Sequence, residues 1–187
     1  MAMQFIIRIA VLAACAWAAP LTQDFEGGLG EWRTQGEVSL VQHPEGGSYA
    51  QVRSESKGGT SRLFSPNLAL ADAKSLQVRF RYRSTVARSS LHVGSWLCIV
   101  YFDRDMKSLG DAGIQGILAP LSGEWKTVEE TLRCHEGAAF VTVQPRLQQS
   151  EGRFDLDDLS FTPVAAALPA GAEVAEAPRG PDPPAAY

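Results

Sequence analysis

The chain has 187 residues, 45% hydrophobic, 20% charged and 9% aromatic, the composition of one globular domain with short appendages. Seventeen Lys and Arg against 21 Asp and Glu give a net charge of −4, which lacks the bulk positive charge of non-specific nucleic-acid binding, so no nucleic-acid partner is expected. Seventeen Gly and 11 Pro without a triplet period exclude collagen and point to a turn-rich, all-β fold.

At the N-terminus, Arg8 precedes an apolar run from Ile9 to Ala18 that ends in the small-x-small site Ala16-Trp17-Ala18. Residues 1–18 read as a secretory signal peptide, so the mature protein is expected to be secreted or periplasmic. The run is shorter than the roughly 20 residues that span a bilayer, and no transmembrane segment is expected. Leu12-Ala13-Ala14-Cys15 resembles a bacterial lipobox, which leaves a lipoprotein anchored through Cys15 as the alternative. Either processing route leaves Cys98 and Cys134. In an exported chain that pair is a disulfide candidate, and two separate buried thiols are the other reading. His43, His92 and His135 are scattered and give no zinc-site spacing.

A folded domain is expected over residues 19–163, because residues 164–187 are dominated by Ala, Pro and Gly, cannot bury a core and read as a disordered tail. Within the domain, segments 37–42, 49–54 and 61–67 come first as candidate strands separated by Gly, Ser and Pro clusters. The clearest follows at 76–83, where Leu76, Val78, Phe80 and Tyr82 alternate with Gln77, Arg79, Arg81 and Arg83. Period two over eight residues is a half-buried strand. Segments 96–103, 125–134, 138–147 and 153–162 complete the set, and none carries a helical stripe. Eight short strands spaced by turns predict an all-β fold, an antiparallel β-sandwich with jelly-roll topology.

Asp24-Phe25-Glu26-Gly27-Gly28 followed by Trp32, Gly47-Ser48-Tyr49, Phe64-Ser65-Pro66, Phe80-Arg81-Tyr82, Gly123-Glu124-Trp125 and Phe154 to Phe161 occur in this order. That series resembles the galactose-binding-like jelly roll, a group that includes non-catalytic carbohydrate-binding modules appended to bacterial glycoside hydrolases. Adhesive MAM domains are similar in motif order, but their usual cysteines near Trp32 are missing here. The resemblance implies a structural Ca2+ tying the N-terminal segment to the last strand, with Asp24 or Glu26, Glu45 and Asp158 as ligands and carbonyls near Gly47 completing the shell. Asp157 and Asp158 point to opposite faces of a regular strand, so only one of them serves such an ion. Trp32 and Trp125 lie at positions that are structural in the resembling family.

Strand alternation places Gln77, Arg79, Arg81 and Arg83 on the face away from the core, with Gln51 and Arg53, and Thr142, Gln144 and Arg146, outward on segments 49–54 and 138–147. If these strands and 96–103 are neighbours, Arg53, Arg79, Arg81, Arg83, Gln144 and Arg146 line one groove. Trp96 and Tyr101 are stacking candidates of opposite parity, at least one of which belongs to the core. Guanidinium forks suit carboxylate or sulfate and amides suit sugar hydroxyls, so the expected partner is a polysaccharide, and the sharper expectation is an acidic one. Solubility and cross-strand ion pairing are the alternative use of the same arginines.

No Gly-x-Ser-x-Gly elbow, His-Glu-x-x-His or phosphate-binding Gly loop is present, and the neighbouring carboxylates Glu129/Glu130 and Asp103/Asp105 do not face each other across a substrate. The expectation is an exported, monomeric, non-catalytic carbohydrate-binding module, with an adhesive or structural protein-interaction domain as the alternative.

Overall fold

The computed structural model describes residues 18–86, 93–113 and 123–165. The expected signal segment up to residue 17 with Cys15, and the tail beyond residue 165, lie outside the described residues. In chain order the strands are β1 (Leu21–Gln23), β2 (Arg33–Gln35), β3 (Glu37–Gln42), β4 (Ser48–Ser54), β5 (Thr60–Phe64), β6 (Leu68–Ala69), β7 (Ser75–Ser84), β8 (Gly94–Phe102), β9 (Ser108–Gly113), β10 (Lys126–Arg133), β11 (Phe140–Gln148) and β12 (Gly152–Val164). All eight segments read from alternation are strands, within a few residues at each end. No helix among the described residues is long and apolar enough to cross a membrane.

The strands form two antiparallel sheets. The first has the order β10-β7-β12-β4-β3, with β1 also on β12, and the second has the order β2-β5-β11-β8-β9, with β6 also on β11. The apolar parity of each strand fills the space between them. Phe80, Tyr82, Phe154 and Phe161 of the first sheet are buried with Leu97, Ile99, Tyr101, Val141 and Val143 of the second. Each such fully buried side chain contributes roughly 1.5–3 kcal/mol relative to exposure. Trp32 joins this core as expected, whereas Trp125 does not.

The expected sheet order is corrected by the observed pairing. Strand β7 lies between β10 and β12, not beside β4, β8 or β11, and the last two belong to the opposite sheet. Alternation fixes which face a side chain takes but carries no information about which strand lies alongside.

One irregularity shapes a functional face. In the pairing of β12 with β7 the register shifts between Asp157 and Ser160, and Asp158 has φ of 50°. This bulge breaks the alternation, so Asp157 and Asp158 both reach Arg81, at 3.7 and 3.2 Å. The expectation that the two carboxylates part to opposite faces is corrected by that extra residue.

Candidate functional site

The outward face of the first sheet carries Arg53, Arg79, Arg81 and Arg83, and each of them meets a carboxylate. Arg53 pairs with Glu55 at 2.9 Å and Arg79 with Glu129 at 2.9 Å, both largely exposed. Arg83 donates from Nε and Nη2 to Asp155 Oδ2 at 2.9 and 2.7 Å, and from Nη2 to the Tyr49 hydroxyl at 3.1 Å. Asp155 is fully buried and also accepts from Gln51 Nε2 at 2.9 Å. Burial opposes the charge on Arg83, but the hydrogen bonds to Asp155 outweigh it and raise the guanidinium pKa.

Around this pair stands an aromatic group that sequence reasoning did not assemble. His43, Tyr49 and Trp125 have ring centroids 4.7 to 5.3 Å apart. The guanidinium carbons of Arg81 and Arg83 lie 5.3 and 5.0 Å from the Trp125 ring centre, within cation–π range. His43 Nε2 is 3.3 Å from Asp157 Oδ2, and burial pushes the Asp157 carboxyl above the ordinary range against the opposing Asp158 N–H. Trp125 therefore lies on the outward face and not at the core edge. The arginines here are consumed by cross-strand ion pairs.

The outward face of the second sheet differs in charge balance. Gln144 and Arg146 of β11 lie there with Trp96 of β8, while Tyr101, of the other parity, is in the core. Trp96, at 3% exposure, is buried as well, so neither Trp96 nor Tyr101 is a surface stacking platform. Arg62 of β5 stands directly opposite Arg146 in the β5–β11 register. Neither forms an ion pair with any described carboxylate, and the Nε atoms of both are buried without a hydrogen-bond partner, as is Gln148 Oε1. Burial, then the neighbouring Arg146, lowers the Arg62 pKa. Arg146 Nη2 donates to Gln144 Oε1, Gln144 Nε2 to Thr142 Oγ1 at 3.0 Å, and the Arg146 guanidinium lies 5.2 Å from the Trp96 ring centre. Arg62 was missed in the sequence because Ser61 and Leu63, its inward neighbours, draw attention to the core; its parity with Thr60 and Phe64 was the available signal.

The expected groove is therefore divided. Arg53, Arg79, Arg81 and Arg83 occupy one outer face of the sandwich, and Trp96, Gln144 and Arg146 occupy the other.

The cysteines are also placed apart: Cys98 lies on β8 and Cys134 follows β10 in the opposite sheet, and both are free thiols. The disulfide reading is corrected. Cys98 Sγ lies 3.3 Å from Asp111 Oδ2, and burial pushes its pKa up to about 12.

Of the four expected calcium ligands, Asp24 and Asp158 line one shallow concavity, and neither Glu26 nor Glu45 joins them there. Glu26 Oε1 accepts the Ser48 N–H at 3.0 Å, Asp24 Oδ1 accepts the Glu26 N–H at 3.1 Å, and Asp158 is held by Arg81. Glu45 is exposed in the turn before β4. Among the described residues no group of three or more His, Cys, Asp or Glu side chains is placed to hold a metal ion, so the expected donor set does not fit Ca2+. The tie between the N-terminal segment and the sandwich is made instead by Glu26 on Ser48.

No family model and no curated protein matches the chain. Solved structures do. The enzymatically active domain of tailspike protein 4 of bacteriophage CBA120 matches at TM-score 0.58 and 10% identity over 75% of this chain, which spans 20% of that one. The CBM22-1 xylan-binding domain of Paenibacillus barcinonensis Xyn10C matches at TM-score 0.53 and 14% identity over 81% of this chain and 98% of its own. The C-terminal family 22 carbohydrate-binding module of Clostridium thermocellum Xyn10B gives TM-score 0.53 and 14% identity, covering 79% and 94%. The chain has the jelly-roll fold of these modules. Identities this low speak for the fold alone, and the likeness spans nearly the whole of both modules but only a fifth of the tailspike domain.

Proposed function

We propose that this domain binds an acidic polysaccharide without cleaving it, on the outward face of the second sheet, through Arg62, Gln144 and Arg146 with Trp96 beneath them. The observation that carries this reading is the cross-strand pair Arg62 and Arg146: two like charges directly opposite each other, with buried Nε–H groups that no acceptor satisfies. Like charges so placed destabilise a sheet, and a buried donor without a partner costs about 1–3 kcal/mol. A uronate carboxylate or a sulfate ester would neutralise the facing charges of the two partly exposed guanidinium groups in one step. The Gln144 and Gln148 amides suit sugar hydroxyls, and the fold shared with carbohydrate-binding modules supports a saccharide over another anion.

Affinity electrophoresis in gels containing polygalacturonate, a sulfated galactan or neutral xylan tests the proposal. Retardation is expected in at least one acidic gel, weakening as salt rises, because exposed charge contacts are screened within about 10 Å at 0.1 M ionic strength. Arg62→Gln/Arg146→Gln should weaken the retardation at least tenfold without lowering the melting temperature, since it also relieves the repulsion between the two charges. Equal retardation of wild type and this variant would refute the site, and release of reducing ends from any of these glycans would refute the non-catalytic reading.

A further inference from the structure

A concavity with several cations lies at one end of the sandwich, where the β6–β7 loop, the β8–β9 turn and the β10–β11 loop meet. Its volume is about 760 Å³, within the range of small-ligand pockets, and Lys74, Arg104, Arg133 and His135 line it together with Asp72 and Glu136. Among the described residues, none of the three permanent cations has a carboxylate within ion-pairing distance, whereas Arg53, Arg79, Arg81, Arg83 and Arg153 all do. In a chain of net charge −4 this clustering is not a by-product of general basicity.

The pocket is held open by its own framework. Cys134 N–H donates to the Lys74 carbonyl at 3.0 Å, Ala138 N–H to the His135 carbonyl at 3.1 Å, and Ala139 N–H to the Phe102 carbonyl at 2.8 Å. Asp103 Oδ1 accepts the N–H groups of Asp105 and Lys107, both at 2.9 Å, which fixes the turn that carries Arg104. The His135 ring packs 5.0 Å from the Tyr101 ring, whose hydroxyl donates to the Arg133 carbonyl at 3.4 Å. The backbone that carries the cations is thus fixed before any ligand arrives, which lowers the ordering cost of binding.

From these observations we infer that the end pocket is a second binding site for an acidic saccharide unit, with Lys74, Arg104 and Arg133 holding its carboxylate or sulfate. From Trp96 to Phe102, β8 runs six residues, about 20 Å at roughly 3.3 Å per residue, so one polysaccharide chain reaches from the Arg62/Arg146 face to this end. Two linked contacts then raise the apparent affinity for a polymer well above that for a single sugar. The class of ligand follows the acidic-glycan reading given above, but the anion site itself stands on a different set of residues.

The test is a titration of the ¹⁵N-labelled protein with galacturonic acid, galactose 6-sulfate and neutral galactose, read at the amides of Gly137, Ala138 and Ala139. Saturable shifts are expected with at least one acidic sugar and not with galactose, and the two acidic arms separate carboxylate from sulfate recognition. Lys74→Gln/Arg133→Gln, or Arg104→Gln alone, should weaken the affinity at least fivefold at these amides, while Arg62→Gln/Arg146→Gln leaves it unchanged. No saturable shift with either acidic sugar, or an equal shift with galactose, would overturn the inference, as would persistence of the shift in both end-pocket variants. Loss of the end-pocket response alone leaves the sheet-face proposal standing, and loss of the polymer retardation alone leaves this one.

Discussion

Arg79 and Arg83 stand on the same face of β7, yet the carboxylates they meet lie in different surroundings. Asp155, the partner of Arg83, is fully buried, whereas the Arg79–Glu129 pair is mostly exposed. Arg83→Ala leaves the buried Asp155 carboxylate with Gln51 as hydrogen-bond donor and Arg153, 3.8 Å away, as its remaining cation, and should cost about 2–4 kcal/mol in urea denaturation. Arg79→Ala should cost no more than about 1 kcal/mol by the same measurement, because an exposed pair gains little in water. Equal costs would mean that Asp155 is solvated. The thiols permit a second test at this scale. Burial pushes Cys98 up to about 12 and Cys134 up to about 11, so both are protonated at pH 8 and react slowly. Alkylation of the Cys98 peptide by iodoacetamide at pH 8, followed by mass spectrometry, should be slow in the folded protein and rise steeply in urea. The unfolded thiol ionises first, so the contribution of Cys98 to stability is fully present below the ordinary thiol pKa and is lost as pH rises toward 12. A rate in the folded protein equal to that in urea would show an unperturbed thiol. At this scale the sequence was legible for parity and silent on pairing. Arg79, Arg81 and Arg83 face outward as read, but whether an arginine is free or neutralised depends on residues 50 to 77 positions away in the chain.

Between β2 and β3 the chain passes from the second sheet to the first, and Gly36 makes that crossing with φ of 73°. A Cβ there would stand 2.5 Å from Ser61 Oγ and 2.8 Å from the Thr60 carbonyl, while Glu37 N–H donates to Ser61 Oγ at 3.0 Å. Gly36→Ala should therefore destabilise the fold by more than about 1 kcal/mol, combining left-handed backbone strain with displacement of the β5 backbone. A melting temperature equal to that of wild type would contradict the crossing geometry. The long alternating strands were all legible in the sequence, whereas β1, β2, β6 and β9 were not. Strands β1, β2 and β6 have two or three residues, and β9 reads Ser-Leu-Gly-Asp-Ala-Gly, so each forms because a longer neighbour offers its edge. Their hydrogen bonds, and not an apolar period of their own, make them strands.

At the scale of the molecule, the N-terminal segment is fastened to the sandwich by Glu26 on the Ser48 N–H and by β1 on β12, and among the described residues no three acidic side chains gather for a metal. Addition of excess EDTA should leave the melting temperature unchanged within about 1 °C, since only a ligand bound to the native state shifts it by mass action. A fall of several degrees, reversed by Ca2+, would contradict this and restore the calcium staple. The sequence by itself determined the all-β class, the eight main strands and the inward and outward faces of segments 49–54, 76–83 and 138–147, because a period of two is a local property of the chain, whereas segment 96–103, apolar on both parities, left its faces open. Tertiary structure alone decided that β7 and β11 belong to opposite sheets, so the arginines read as one groove lie on two faces. It decided too that Arg62 stands across from Arg146 and that Lys74, Arg104 and Arg133 line one end pocket. Those facts depend on strand pairing between distant segments, which is set by global packing of the core and leaves no periodic trace in the text of any single strand.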